Sequence, residues 1–168
     1  VGQDLPLPVL CAIGGHCLGA GVQLARGADI RVATPSSQWA ILEARWGIVP
    51  DMGISRTAQG VLRQDVLREL TYSGRVFSGE AAAEYGLVTH LSDNPLAAAY
   101  ALAAELAERS PDAHVAAKRV LQTMQTKPLK TLRMEKIWQI KLLLGKNQRR
   151  AVKKDRDPQT EFLPRQFD

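Results

Sequence analysis

Apolar and polar positions change their spacing several times along this chain, and each change marks an element. Pro8-Val9-Leu10-Cys11-Ala12-Ile13 is a continuous apolar run ended by Gly14-Gly15, short enough and flanked well enough by breakers to be a buried strand. Leu18 through Gly27 reads as a helix entered through glycines. Asp29-Ile30-Arg31-Val32-Ala33-Thr34 alternates polar and apolar residues, the pattern of a half-buried strand, and Pro35-Ser36-Ser37 closes it. Strand, helix, strand is the grammar of an α/β domain.

A second short strand is predicted at Gln38 to Leu42, followed by an irregular, turn-rich segment from Gly47 to Gly53. Helical periodicity returns at Asp65 to Leu70. Ser78 is placed to cap a brief helix that stops at Gly86, and Leu87 to Leu91 follows as a strand. Beyond Asn94 only helices are expected, at about Pro95 to Glu108, Pro111 to Met124, Pro128 to Leu144 and Asn147 to Lys154, each starting near a Pro or Asn. The boundary between an α/β part (1–93) and a helical part (94–168) falls near Asp93. Within the third of these helices, Leu129, Leu132, Ile137, Ile140 and Leu144 stand at helical spacing and need a surface to cover them, either this chain's own core or a neighbouring subunit.

Composition narrows the class without naming a function. With 168 residues, 45% hydrophobic and 23% charged, the chain can bury one sizeable core. It has no apolar run approaching the roughly 18 residues of a spanning helix and no signal-peptide layout at its start, so a soluble, cytoplasmic protein with no membrane partner is expected. Cys11 and Cys17 amount to neither a disulfide framework nor a zinc site, and His90 and His114 lack ligand spacing, so no metal is indicated.

The net charge of +5 is unevenly spread: 15 Lys/Arg face 6 Asp/Glu from Arg109 onward, against 7 and 11 before it. The basic half suits solvated helix faces or an anionic ligand or partner. Aromatic residues are 5% of the chain and do not interleave with the basic ones, which argues against a nucleic-acid surface.

The chemistry points to the first glycines. Strand, glycines, helix aims backbone N–H groups at an anion, here around Gly19, Ala20 and Gly21. A phosphate loop is excluded because Gly14 to Gly19 is followed by Ala20-Gly21 with no Lys, and the dinucleotide glycine fingerprint fails on spacing. A transient oxyanion is the better ligand. Adjacent His16 and Cys17 suggest a thiol nucleophile with its base, but neighbours at a strand-to-helix turn point apart, and a small buried Cys is the usual case. Trp39, Trp46 and Trp138 are expected to be packing residues.

The run from Pro8 to Ala25, with Ala28-Asp29-Ile30-Arg31-Val32-Ala33 after it, resembles the second oxyanion-hole segment of crotonases, the enoyl-CoA hydratase/isomerase group. Trp39 to Gly53 resembles their catalytic-acid segment. Leu70 to Arg75, Ala81 to Val88 and the closing Phe162-Leu163-Pro164-Arg165 extend the likeness in order along essentially the whole chain.

The resemblance implies the C-terminal part of a crotonase-like ββα spiral, followed by an all-helical trimerisation region and hence a homotrimer or hexamer. It implies an acyl-CoA thioester as substrate and partner, with no cofactor beyond the coenzyme A that the substrate carries. The Ala20 N–H would be one oxyanion donor; the other belongs in the family to an Ala-Gly-x-Asp segment with no counterpart in these residues, so a half-built hole is expected.

The two glutamates of the family's hydratases fall at Gln23 and Glu43. Gln23 cannot carry a proton but can orient a water or the substrate through its amide, alongside Gly19 and Gly21. Glu43 is left as the acid/base. Asp51, eight residues on, matches an aspartate of the family's dienoyl-CoA isomerases, although an Asp after Pro in a turn is more often only a turn former. Glu43 with Asp51 leans toward double-bond isomerisation rather than hydration. The alternative is a catalytically inactive crotonase-fold piece that binds acyl-CoA weakly or serves in assembly.

Overall fold

The apolar run at the start becomes strand β1 (Leu10–Ile13), and the glycine pair after it is a corner rather than a stop. Gly15 takes φ 73°, a left-handed conformation that favours glycine, and the chain then runs directly into a second strand, β2 (His16–Leu18), before helix α1 (Ala20–Ala25) begins. The same sequence of events follows: β3 (Ile30–Ala33), a Pro-Ser turn, then β4 (Gln38–Ala40). This computed structural model describes residues 2–124 and 128–167, without the side chains of 128–135 and 155.

Two three-stranded sheets result. In one, β1 and β3 pair in parallel, and β3 pairs with β6 (His90–Leu91), also in parallel. In the other, β2 and β4 pair in parallel, with Leu18 opposite Ala40, while β5 (Phe77–Ser78) joins β4 antiparallel. The first two passes of the chain each lay one strand in each sheet and return through helix, and β5 and β6, with a helix between them, add an edge strand to each sheet, which is the crotonase-like α/β arrangement the resemblance implied. After β4 come the short helix α2 (Ile54–Thr57), α3 (Gln64–Ser73) and α4 (Gly79–Glu84). Ser78 caps α4 as expected, its Oγ accepting the Ala81 N–H at 3.2 Å, and Gly86 follows with φ 84°.

The chain divides into two compact units, one built on Val9–Leu102 and the other on Pro6–Pro8 with the chain from Ala103 onward. The core of the first contains Ile13, Cys17, Val22, Trp39, Ile41, Leu70 and Leu87. Trp39 is fully buried, and its indole N–H reaches Ser37 Oγ at 2.9 Å, so this large ring is packed without a stranded donor. Arg31 is buried in the same unit, donating to the carbonyls of Leu87 and Ala28 at 2.5 and 2.6 Å.

From Pro95 on, every regular element among the described residues is helical: α5 (Pro95–Ala107), α6 (Pro111–Thr123), α7 (Pro128–Leu144) and α8 (Lys146–Arg156). In the second unit Val115, Ala116 and Trp138 form the core, with Val120, Leu142 and Phe167 against it. A polar clasp accompanies it. Asp112, in the first turn of α6, accepts the N–H groups of Gln166 (2.7 Å) and Phe167 (3.3 Å) on one oxygen and Asn147 Nδ2 (2.8 Å) on the other. Asn147 in turn exchanges two hydrogen bonds with the backbone of Leu163, at 2.8 and 3.0 Å. Both side chains are essentially inaccessible, and together they seat the C-terminal tail on α6 and α8.

One expectation is corrected here, and one open alternative narrows. Trp46 is not a packing residue: it ends the turn that follows β4, where left-handed Gly47 redirects the chain, and is 75% exposed. Nor does the second unit's own core take up the apolar face assigned to α7, because Trp138 and Leu142 turn inward while Ile137, Ile140 and Leu144 remain exposed. The Leu129 and Leu132 side chains of that face lie outside the described residues. No helix among the described residues is long and apolar enough to cross a membrane.

Candidate active site

Parallel neighbours in a sheet bring the residues after their ends to one edge, and this is how the site is built. β2 and β4 run side by side, and the Gly19 N–H extends their ladder by donating to Ala40 O at 2.8 Å. The segments that follow, Gly19 into α1 and Leu42-Glu43 into a 3-10 turn (Glu43–Trp46), therefore emerge together. Gly19 bends the chain into the helix with φ 49° and ψ −114°, a conformation suited to glycine. A Cβ placed on it would stand 3.8 Å from Glu43 Oε1 and 3.9 Å from Leu42 Cβ.

Helix α1 starts with its N–H groups at this corner. Those of Val22 and Gln23 turn back to Gly19 O at 3.1 and 3.3 Å, whereas those of Ala20 and Gly21 have no acceptor among the described residues. Ala20 itself is exposed. One turn further on, Gln23 faces inward and is 3% exposed; its Nε2 donates to Glu43 Oε1 at 2.6 Å. Its Oε1 accepts the Met52 N–H at 2.8 Å.

Glu43 is 7% exposed, and its second oxygen, Oε2, is buried with no hydrogen-bond partner among the described residues. Buried polar oxygens nearly always have a partner, so an unpartnered carboxylate oxygen beside open helix N–H groups marks a place prepared for something else. The arrangement can hold an oxyanion at the helix start and move a proton at Glu43 Oε2.

The structure thus brings Gly19, Ala20, Gly21, Gln23 and Glu43 to one corner. Asp51 lies on the irregular segment that Met52 ties to Gln23; it is exposed and makes no hydrogen bond or ion pair among the described residues. The His16–Cys17 pair is set aside on geometry: on β2 the imidazole is exposed and Cys17 is buried, and burial, with Cys11 nearby, pushes its thiol up to about 12. A thiol held protonated in that way is a packing group.

The residues from 2 to 154 match the family model described as enoyl-CoA hydratase/isomerase. The chain belongs to this family. Among the relatives of the enoyl-CoA hydratase/isomerase chain is the mitochondrial Δ(3,5)-Δ(2,4)-dienoyl-CoA isomerase of Mus musculus, 37% identical over 113 residues, which cover 65% of this chain and 35% of that protein. The mitochondrial methylglutaconyl-CoA hydratase of Mus musculus is 35% identical over 88 residues, covering 52% of this chain and 28% of that protein. A crystal structure of an enoyl-CoA hydratase from Polaromonas sp. JS666 superposes with a TM-score of 0.86 at 25% identity, over 95% of this chain and 63% of that one. The chain spans about a third of the length of the two curated relatives.

Sequence reasoning overlooked two parts of this candidate site. β2 is three residues long, too short for a period to register, although an extra strand between Gly15 and Gly19 could have been inferred from the two breakers that bracket it. The link from Met52 N–H to Gln23 left no signal at all, since any residue but proline supplies that N–H.

Proposed function

We propose that this site performs enolate chemistry on an acyl-coenzyme A thioester, and that it moves a double bond rather than adding water. The observation that carries the reading is Glu43: a buried carboxylate with one oxygen held by a neutral amide and the other unpartnered, next to the first turn of α1.

In a 3-enoyl thioester, Glu43 Oε2 removes a proton from C2. The C–H electron pair delocalises through the carbonyl and the C3–C4 double bond, and the thioester oxygen takes up negative charge. The Ala20 N–H donates to that oxygen as its charge grows. The proton then returns at C4, leaving the double bond between C2 and C3, so one base suffices. Hydration asks in addition for a water to be activated opposite the proton donor, a task that suits a second carboxylate, and position 23 carries an amide instead. For a conjugated diene, where the proton must return at a more distant carbon, exposed Asp51 is the available second carboxylate.

Assembly belongs to the same reading. Ile137, Ile140 and Leu144 of α7 are exposed, as expected of a helical region that packs against other copies in a trimer or a pair of trimers. Sedimentation showing only monomer would contradict that part. The reaction is tested by comparing hydration of a 2-enoyl-CoA with isomerisation of 3-enoyl-CoA and 3,5-dienoyl-CoA. Isomerisation faster than hydration is the expected outcome; hydration alone would overturn the preference.

A further inference from the structure

Gln23 has both ends of its amide engaged, and the two partners determine which end is which. Met52 offers a backbone N–H, which can only donate, so the amide oxygen must face it at 2.8 Å. The NH2 group is thereby turned toward Glu43 and donates to Oε1 at 2.6 Å. Exchanging the two ends would set an amide N–H against the Met52 N–H and an oxygen against a carboxylate oxygen, losing both bonds in a site where Gln23 is 3% exposed. Met52 thus orients Gln23, and Gln23 orients Glu43.

One consequence concerns the carboxylate. A free glutamate can offer either oxygen, but here Oε1 is occupied and Oε2 is buried without a partner among the described residues. A second concerns the segment from Gly47 to Gly53. Two of its glycines take positive φ, Gly47 at 68° and Gly53 at 93°, and among the described residues the only hydrogen bond it makes to a side chain is the one that the Met52 N–H donates to Gln23 Oε1.

We infer that Gln23 is a positioning residue: it selects Oε2 of Glu43 as the proton-carrying atom and fastens the segment bearing Asp51 to the base it accompanies. The inference rests on the isomerase reading above. A glutamate at position 23 could accept from Met52, but it would meet Glu43 oxygen to oxygen and would need a shared proton to do so. The amide supplies that hydrogen bond without competing for the proton that the reaction moves.

The test uses the full chain with Q23M, which keeps length and volume but loses both hydrogen bonds, and Q23E, which keeps only the one from Met52. Turnover of 3-enoyl-CoA is measured together with exchange of the Met52 amide by NMR. Q23M is expected to lose about 100-fold in kcat with KM nearly unchanged, as for a reacting group displaced by a fraction of its reach, and its Met52 amide should exchange faster than in wild type. Q23E should retain the slow Met52 exchange while also losing kcat. An active wild type with Q23M equal to it in kcat overturns the inference and leaves the isomerase reading standing. So does a loss that falls wholly on KM. A wild-type chain with no turnover overturns the isomerase reading; the tether is then judged by the Met52 amide, and unchanged exchange in Q23M overturns it as well.

Discussion

Gln23 Nε2 lies 2.6 Å from Glu43 Oε1, joining two buried side chains twenty residues apart, one on the first turns of α1 and the other at the turn after β4. The contact exists because β2 and β4 are parallel neighbours whose following residues leave the sheet at one edge. It leaves a single carboxylate at the two positions where the resemblance placed the glutamates of a hydratase, and the predictions below follow from that asymmetry and from the packing around it.

Gly19 cannot be replaced without strain. Its backbone stands at φ 49° and ψ −114°, so Gly19→Ala forces a side chain into a conformation that costs roughly 1–3 kcal/mol. The surrounding space would admit the methyl, since its nearest neighbours are at 3.8 and 3.9 Å. Denaturant unfolding should show a loss of that size, together with reduced turnover because Ala20 shifts with it. An unchanged midpoint would mean that the turn relaxes freely.

Asp51 is exposed and makes no hydrogen bond or ion pair among the described residues, so its removal should leave folding untouched. Asp51→Asn is expected to keep the wild-type melting temperature and isomerisation of 3-enoyl-CoA, while isomerisation of a 3,5-dienoyl-CoA falls by about 100-fold or more, in the range of a lost general acid. Equal rates on both substrates would make Asp51 only a turn former.

Cys17 provides a check on burial. Its thiol is pushed up to about 12 by desolvation first and by Cys11 second, so the reactive thiolate is scarce at neutral pH and becomes appreciable only as the pH approaches that value. Iodoacetamide at pH 8 should leave Cys17 unmodified in the folded chain and label it after denaturation, as read by peptide mass spectrometry. Rapid labelling of the native chain would contradict the burial.

The tail clasp predicts a stability effect remote from the chemistry. Asp112→Ala removes the acceptor of the Gln166 and Phe167 N–H groups and one of the two acceptors of the Asn147 amide, whose other acceptor is Leu163 O; for these part-buried groups the loss should be roughly 1–3 kcal/mol in all. The C-terminal tail should then become cleavable by trypsin at Arg165 under native conditions, with resistance retained in wild type.

Much of this was readable from the residues. Continuous and alternating apolar runs located β1 and β3, Ser78 and Gly86 bracketed α4, and the proline starts of the last helices fell where α5, α6 and α7 begin. Glu43 and Gln23 could be paired from their spacing once the resemblance was in hand. What escaped detection depends on contacts distant in sequence or on backbone alone. The Asp112–Asn147 bond spans 35 residues with no period to announce it, and the Met52 N–H is contributed by the main chain of an irregular segment. Trp46 was misjudged because aromatic size predicts burial, whereas its place at the end of a turn closed by Gly47 leaves it in solvent.

The central claim is that Glu43 is the proton carrier of an isomerase site, and the most direct measurement is turnover of 3-enoyl-CoA in deuterated water by wild type and Glu43→Gln. Wild type should form 2-enoyl-CoA in which the hydrogen taken from C2 stands at C4, so that deuterium at C4 stays well below full incorporation. Glu43→Gln should fold alike and lose about 100- to 10,000-fold in rate. A Glu43→Gln variant that turns over at the wild-type rate, or a wild type that only hydrates 2-enoyl-CoA, would contradict the account.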